Sequence, residues 1–431
     1  MTLAIAAIAL WGALLATGAM QVAAFTILVA AVTLRHAREI THPLTWFGPV
    51  FWLYSAAYPL LALSGLYAYD VFLQQALGLH AIAFAAFSVP LYGRVTRLDV
   101  SHWSVRGCRL RAELAWLGAV LLLPLVAVLI VRLTALGVTT KGELLSSGGQ
   151  SLGMLGAALQ LATFLLTVLV TVMLRLQRSV LSIAGLAFAV FATVLVYTGE
   201  RDYLLRFMVV LVLLWWDFYR RPKLSTLVVL GALVLALLPL LQALKAVALG
   251  GATDYQFEAA AIIGQEFRVS TQNTWFVLKQ NVADMLPTPF ASLAMDLKRA
   301  LMPQVLGIEA VSTNAWFNDV VLFNVASGRG FSLVASGYLA GGAIGVAVLY
   351  HLVGWLVRAL YVYRGRTYLH LTIYALAAPL LMYVQRGDLS SLLAPALRAL
   401  LLPSIAFMLL VEYVRRAARV SRPPTNILDR S

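Results

Sequence analysis

The chain has 431 residues, a formal net charge of +14, and a composition that is 61% hydrophobic and only 12% charged. Soluble domains carry about a quarter charged residues, and a water-soluble chain of this size has no interior large enough for so much apolar surface. Soluble, disordered, fibrous and disulfide-rich classes are therefore excluded, the single Cys108 having no internal partner.

No charged residue occurs from Met1 to Leu34. A single helix over that stretch would reach about 50 Å, against roughly 30 Å of hydrocarbon. It reads as two short helices meeting near Thr17–Met20, with one long tilted helix as the alternative. No basic residues precede it, as a cleavable signal peptide would require. Further spans are expected at 44–67, 71–92, 112–133, 151–174, 179–197, 203–219 and 224–247, then at 331–357, 368–385 and 395–414. The expected fold is an all-α polytopic transmembrane helical bundle of about twelve spans, eleven if the start is one helix. Residues 1–247 form an N-terminal bundle of about nine spans and 248–330 one large loop containing short helices. Residues 331–414 supply three more spans, and 415–431 a basic tail.

Basic residues in short loops set orientation. Alternate connections carry Arg35 and Arg38, the set Arg94 to Arg111, Arg175 and Arg178, Arg220 to Lys223, Arg358 to Arg366, and the tail from Arg415. That side is assigned to the cytoplasm. It accounts for the whole net charge, the opposite side being balanced, so no nucleic-acid partner is needed.

The polar chemistry falls on the other side. In the long loop, the stretch Ala259–Asn281 has helical spacing, with Ile262, Phe267, Trp275 and Leu278 set among Gln265, Glu266, Arg268 and Lys279. Such a segment lies at the interface or caps the bundle. Three clusters gather there: Glu200-Arg201-Asp202 with Arg206; Gln385-Arg386-Gly387-Asp388 with Ser390, Ser391 and Arg398; and Lys298-Arg299 with Arg329 and the Glu266/Arg268 pair. The plain reading pairs each arginine with a carboxylate or lets it snorkel. Several on one face fit a pocket for an anionic headgroup, since the guanidinium fork binds phosphate bidentately.

No histidine falls in the long loop, while His80 and His351 lie in spans, where buried hydrogen-bonded imidazoles are expected. No metal-ligand spacing and no phosphate-binding Gly-rich loop appears, so neither a metal nor a cofactor is assigned.

Four segments resemble the bacterial oligosaccharide repeat-unit polymerases (O-antigen polymerase, Wzy-type). Thr198-Gly199-Glu200-Arg201 is similar to a short periplasmic turn of that family. Leu297-Lys298-Arg299-Ala300-Leu301-Met302-Pro303 resembles a "PR-x-x-x-P" stretch late in its large loop, here without the first Pro. Gly330-Phe331-Ser332-Leu333-Val334-Ala335, with Tyr338, Gly342 and Gly345, resembles its re-entry segment. Ser336 and Ala340 stand where Glu and Asn are often found, so no acid role is carried over there. Gln385-Arg386-Gly387-Asp388-Leu389-Ser390-Ser391, with Arg398 and Pro403, resembles its last periplasmic turn and final span. Together these matches span residues 198–403.

The resemblance implies an inner-membrane glycosyltransferase acting at the periplasmic face on undecaprenyl-pyrophosphate-linked oligosaccharide, with a chain-length regulator as a further partner. Arg201 and Arg386 would stabilise the departing pyrophosphate, helped by Arg268, Lys298, Arg299, Arg329 and Arg398. Glu266, Asp388, Asp254 and Glu258 are the candidate bases for the acceptor hydroxyl. Trp275, Trp316, Phe317 and Tyr338 are candidates for stacking on sugars, or equally for interfacial anchoring. A flippase of the same lipid and an O-antigen ligase are the rivals. The first lacks an internal repeat in support, and the second lacks a periplasmic histidine.

Overall fold

The computed structural model describes residues 2–93, 96, 98–135, 149–198, 202–219, 259–288, 290–302, 310–322 and 330–420. Among them there are helices and connections but no strand. The expected span at 224–247 lies outside the described residues.

The charge-free start forms two helices, α1 (Thr2–Leu15) and α2 (Gly18–Leu34). Gly18 sits at the joint with φ of 58°, a left-handed conformation that glycine takes without steric cost and that stops α1 from continuing. Then come α3 (Pro43–Leu63), α4 (Val71–Ser88), α5 (Val105–Thr134), α6 (Gly149–Arg175), α7 (Leu181–Thr198) and α8 (Asp202–Phe218). The loop region supplies α9 (Ala259–Lys279), α10 (Ala291–Leu301) and the single turn α11 (Thr313–Trp316). The chain closes with α12 (Leu333–Tyr363), α13 (Tyr368–Tyr383), α14 (Leu389–Pro395) and α15 (Leu402–Val420).

Seven helical stretches are long and apolar enough to cross a membrane: Pro43–Leu63, Val71–Leu91, Val105–Leu133, Gly153–Arg175, Leu333–Tyr363, Tyr368–Arg386 and Leu389–Ala417. The helices Thr2–Leu15, Gly18–Leu34 and Leu181–Val194 are apolar but shorter. The chain is thus a helical membrane protein in which some expected spans fall short of full crossing length.

Short polar side chains fix several helix starts by accepting a first-turn amide: Asp70 from Leu73, Ser104 from Gly107, Ser332 from Ala335, Thr367 from His370 and Asp388 from Ser391. The stretch expected as one span at 331–357 departs from that reading. Gly341 and Gly342 leave helical geometry, Gly342 at φ 61° and ψ −150°, a region open essentially to glycine alone. Gly337 lies against the backbone of Gly345 and Val346. In an unbroken helix, residues eight apart would be about 12 Å from one another. The segment is therefore a short arm, Leu333–Ala340, folded onto a long arm that runs to Tyr363. Absence of a Cβ on Gly337 and Gly345 lets the two backbones touch.

One end of the bundle is tied together by Arg364, whose side chain is only 1% exposed. Its Nε reaches Asp217 of α8 at 3.4 Å, Nη2 lies 4.0 Å from Glu39, and Nη1 and Nη2 donate to the Oγ1 and carbonyl of Thr96, each at 2.7 Å. The Tyr361 ring lies 4.1 Å beneath the guanidinium. A residue counted from the sequence only as one basic residue of a connection is a buried centre holding Glu39, Thr96 and Asp217. His80 is buried and bonded to Ser55 and Thr274, as expected. His351 is not: it lies on the exposed side of α12.

Candidate functional site

The opposite end of the bundle holds the loop helices and most of the described candidate residues. Helix α10 buries Ser292, Asp296 and Ala300, spaced four apart on one face, while Leu297, Lys298 and Leu301 are exposed. An aspartate thus occupies the centre of the packed face. Its Oδ1 accepts the amide of Thr313 at 2.8 Å and its Oδ2 the amide of Leu389 at 3.1 Å. These are the first amides of α11 and α14, groups with no partner inside their own helices.

Asp388 does the converse. Its Oδ1 accepts from the Ser391 amide, the Ser391 hydroxyl and the Ser390 hydroxyl at 2.7 to 2.8 Å, and its Oδ2 accepts the Asn314 amide at 2.9 Å. Two carboxylates, each 1% exposed, therefore cross-brace two helix starts. Burial, with the negative charge of Asp388 next, pushes the Asp296 carboxyl up to about 7.

Two arginines lie beside this pair. After Pro395 the chain makes a π-helical turn over Ala396–Leu401, a form common at functional sites. It carries Arg398, whose Nη2 donates to the carbonyls of Arg299, Ala300 and Met302 at 2.9 to 3.1 Å. Those are carbonyls at the C-terminal end of α10, where a cation is favoured. Arg299 donates to the Ala310 carbonyl at 3.2 Å. Burial and then the charge of Arg398 hold its pKa below the usual range, with Asp388 opposing.

Arg386 lies two residues before Asp388, its guanidinium 5.9 Å from the Tyr383 ring, while Arg206 lies 4.5 Å from the same ring and 3.9 Å from Asp202. The Arg386 carbonyl accepts the Phe331 amide at 2.8 Å, and Asn273 of α9 donates to the Gly330 carbonyl at 2.6 Å. Gly330 is required there, since a Cβ would overlap the Arg386 carbonyl. Ser332 bonds Ser270 and Thr274, fastening the short arm of α12 to α9.

The structure thus brings Asp388, Arg299 and Arg398 together, sets Arg386 at the Tyr383 ring with Arg206, and leaves Lys298 exposed. Arg268 goes elsewhere: it bonds the Tyr67 hydroxyl, in a group with Tyr58, Trp275, Lys279 and Asp70. There Asp70 accepts from the Trp275 indole at 2.8 Å and lies 3.7 Å from Lys279. Tyr338 stands between two clefts of ≈ 320 and ≈ 460 Å³, the smaller also lined by Gly341 and Gly342 and the larger by Gln21 and Gln74. Phe317 is fully buried between Phe276 and Phe331, so it cannot stack on a sugar. Arg201, Arg329, Asp254, Glu258 and the Glu266 side chain lie outside the described residues.

Sequence reasoning missed Asp296 and Asp70. An acidic residue on a polar helix reads as solvated, and only the i, i+4, i+8 register with Ser292 and Ala300 would have flagged the first. Among the described residues no group of three or more His, Cys, Asp or Glu side chains has the placement to hold a metal ion.

Comparison with known proteins gives no match: no family model, no curated protein and no solved structure shows significant similarity to this chain.

Proposed function

We propose that this chain polymerises lipid-linked oligosaccharide repeat units at the periplasmic face of a bacterial inner membrane. The growing glycan would pass from undecaprenyl pyrophosphate to a hydroxyl of the next lipid-linked unit. One observation carries the reading. Arg299 and Arg398 gather by Asp388 where the loop helix α10 meets the π turn after α14, and Arg206 and Arg386 share the Tyr383 ring at the end of α13. In the transfer, the acceptor oxygen attacks the anomeric carbon and the bond to the pyrophosphate oxygen breaks. The electron pair stays on the departing phosphate, where preorganised guanidinium groups stabilise it. The acceptor proton passes to a carboxylate, Asp388 or Glu266 being the candidates. Stacking on the sugar falls to Trp275 and Tyr338, both partly exposed.

Deletion of the gene followed by a gel profile of surface glycans tests the reading. Collapse of a long ladder to core plus one repeat supports it. Loss of every attached repeat assigns a flippase or ligase instead, and an unchanged ladder removes the lipid-linked glycan altogether. Complementation with Arg386→Ala and Arg299→Ala, at wild-type expression, is expected to give shortened or single-repeat product.

A further inference from the structure

Two buried carboxylates share the base of the arginine cluster, and both have their neighbours interlocked. Thr313 and Asn314, consecutive in sequence, donate their amides to Asp296 and Asp388 respectively, and Leu389, next to Asp388, donates to Asp296. In so water-poor a site the neighbouring Asp388 charge adds to the cost of ionising Asp296.

Among the described residues the charged groups around Asp296 are few. Asp388 stands on α14, Arg398 on the π turn beyond it, and Arg299 and the exposed Lys298 on its own helix. The short arm of α12 presents no charged residue, and Asp319, just beyond α11, is exposed. Nothing among these described groups makes an ion pair with Asp296 that would hold it ionised.

We propose that Asp296, buried beside Asp388, holds a proton and so sets the charge next to Arg299 and Arg398, Asp296 acting as a positioning residue through Asp388. With the proton bound, the set of Asp296, Asp388, Arg299 and Arg398 is one charge more positive, and an anionic pyrophosphate headgroup binds better. Binding of the anion in turn holds the proton. The cluster is then a proton-coupled anion site whose grip loosens as pH rises through neutrality, releasing the departing pyrophosphate once the proton leaves. The coupling to anion rests on the reading of this cluster as the headgroup site; the proton on Asp296 does not. That Asp296 titrates unusually high, through burial and the Asp388 charge, agrees with it.

The test is the infrared carboxylic-acid C=O band of the full chain in nanodiscs, followed from pH 5 to 9. The wild type should show a band that disappears with a midpoint near 7. It should be absent from Asp296→Asn and move to lower pH in Asp388→Asn, where the neighbouring charge is gone. No titrating band in the wild type, or a midpoint unmoved in Asp388→Asn, overturns the pair. Absence of a titrating band from the wild type overturns the proposal even if a variant fails to fold. Adding inorganic pyrophosphate should raise the wild-type midpoint, and pyrophosphate should bind several-fold more weakly at pH 8 than at pH 6 once compared with the flat Asp296→Asn control. A titrating band that ignores pyrophosphate overturns the coupling while the pair stands. A shift with pyrophosphate in a chain that makes no polymer supports the coupling and places the failure in the polymerase reading.

Discussion

The Asp296 carboxylate accepts the amide of Leu389, the residue that follows Asp388, so two acidic side chains 92 positions apart in sequence are locked at one helix start. The consequence for stability has a definite sign. The folded-state value near 7 lies above the ordinary 3.8, so the fold favours the protonated carboxyl. The contribution of this group is fully present below about pH 4 and is lost as pH rises through 7, up to about 4 kcal/mol in the limit. Thermal unfolding in detergent from pH 5 to 8 should show that decline in the wild type and a flatter profile in Asp296→Asn. A decline of equal steepness in the variant would sink the assignment.

Arg398 caps α10 through three carbonyls, so its loss acts on loop anchoring as well as on charge. Arg398→Ala should cost about 1–3 kcal/mol, the range for groups left unsatisfied in a buried place. Arg398→Lys keeps the charge but not the fork that spans three acceptors, and should recover only part of it. Limited proteolysis within 291–322 reads out the difference.

The break in α12 depends on glycine at two kinds of position. Gly342→Ala forces a side chain into a backbone region reserved for glycine, and Gly337→Ala drives a Cβ into the backbone of Val346. Both should lower the unfolding temperature. Gly341→Ala, with extended backbone and open space around it, serves as the mild control.

At the far end, Arg364→Met leaves Asp217 and Glu39 beside an empty site. Breaking a buried ion pair by removing one partner costs about 3–5 kcal/mol. Pairing Arg364→Met with Asp217→Leu should restore much of that loss, whereas additive losses in the double variant would count against the coupling.

The amino-acid sequence by itself determined the class of this protein and the helical identity of its described segments. Long uncharged stretches have one stable solution in a lipid environment, a helix that satisfies its own backbone. It also located the breakpoint near Gly18 and the turn at Arg386–Asp388, because glycine, proline and short polar caps act locally. Tertiary structure decided the rest. Hydropathy is averaged over a window, so it could not show that Gly341 and Gly342 fold one expected span into two arms. A charged residue in a polar stretch looks solvated whatever its register, so Asp296, Asp70 and Arg364 became central only when helices remote in sequence closed over them. Likewise Arg268 and Arg299, grouped by sequence into one loop cluster, separate onto Tyr67 and Ala310 because α9 and α10 pack against different helices. Charge and pattern are read along the chain, while partnership is a property of distance in space.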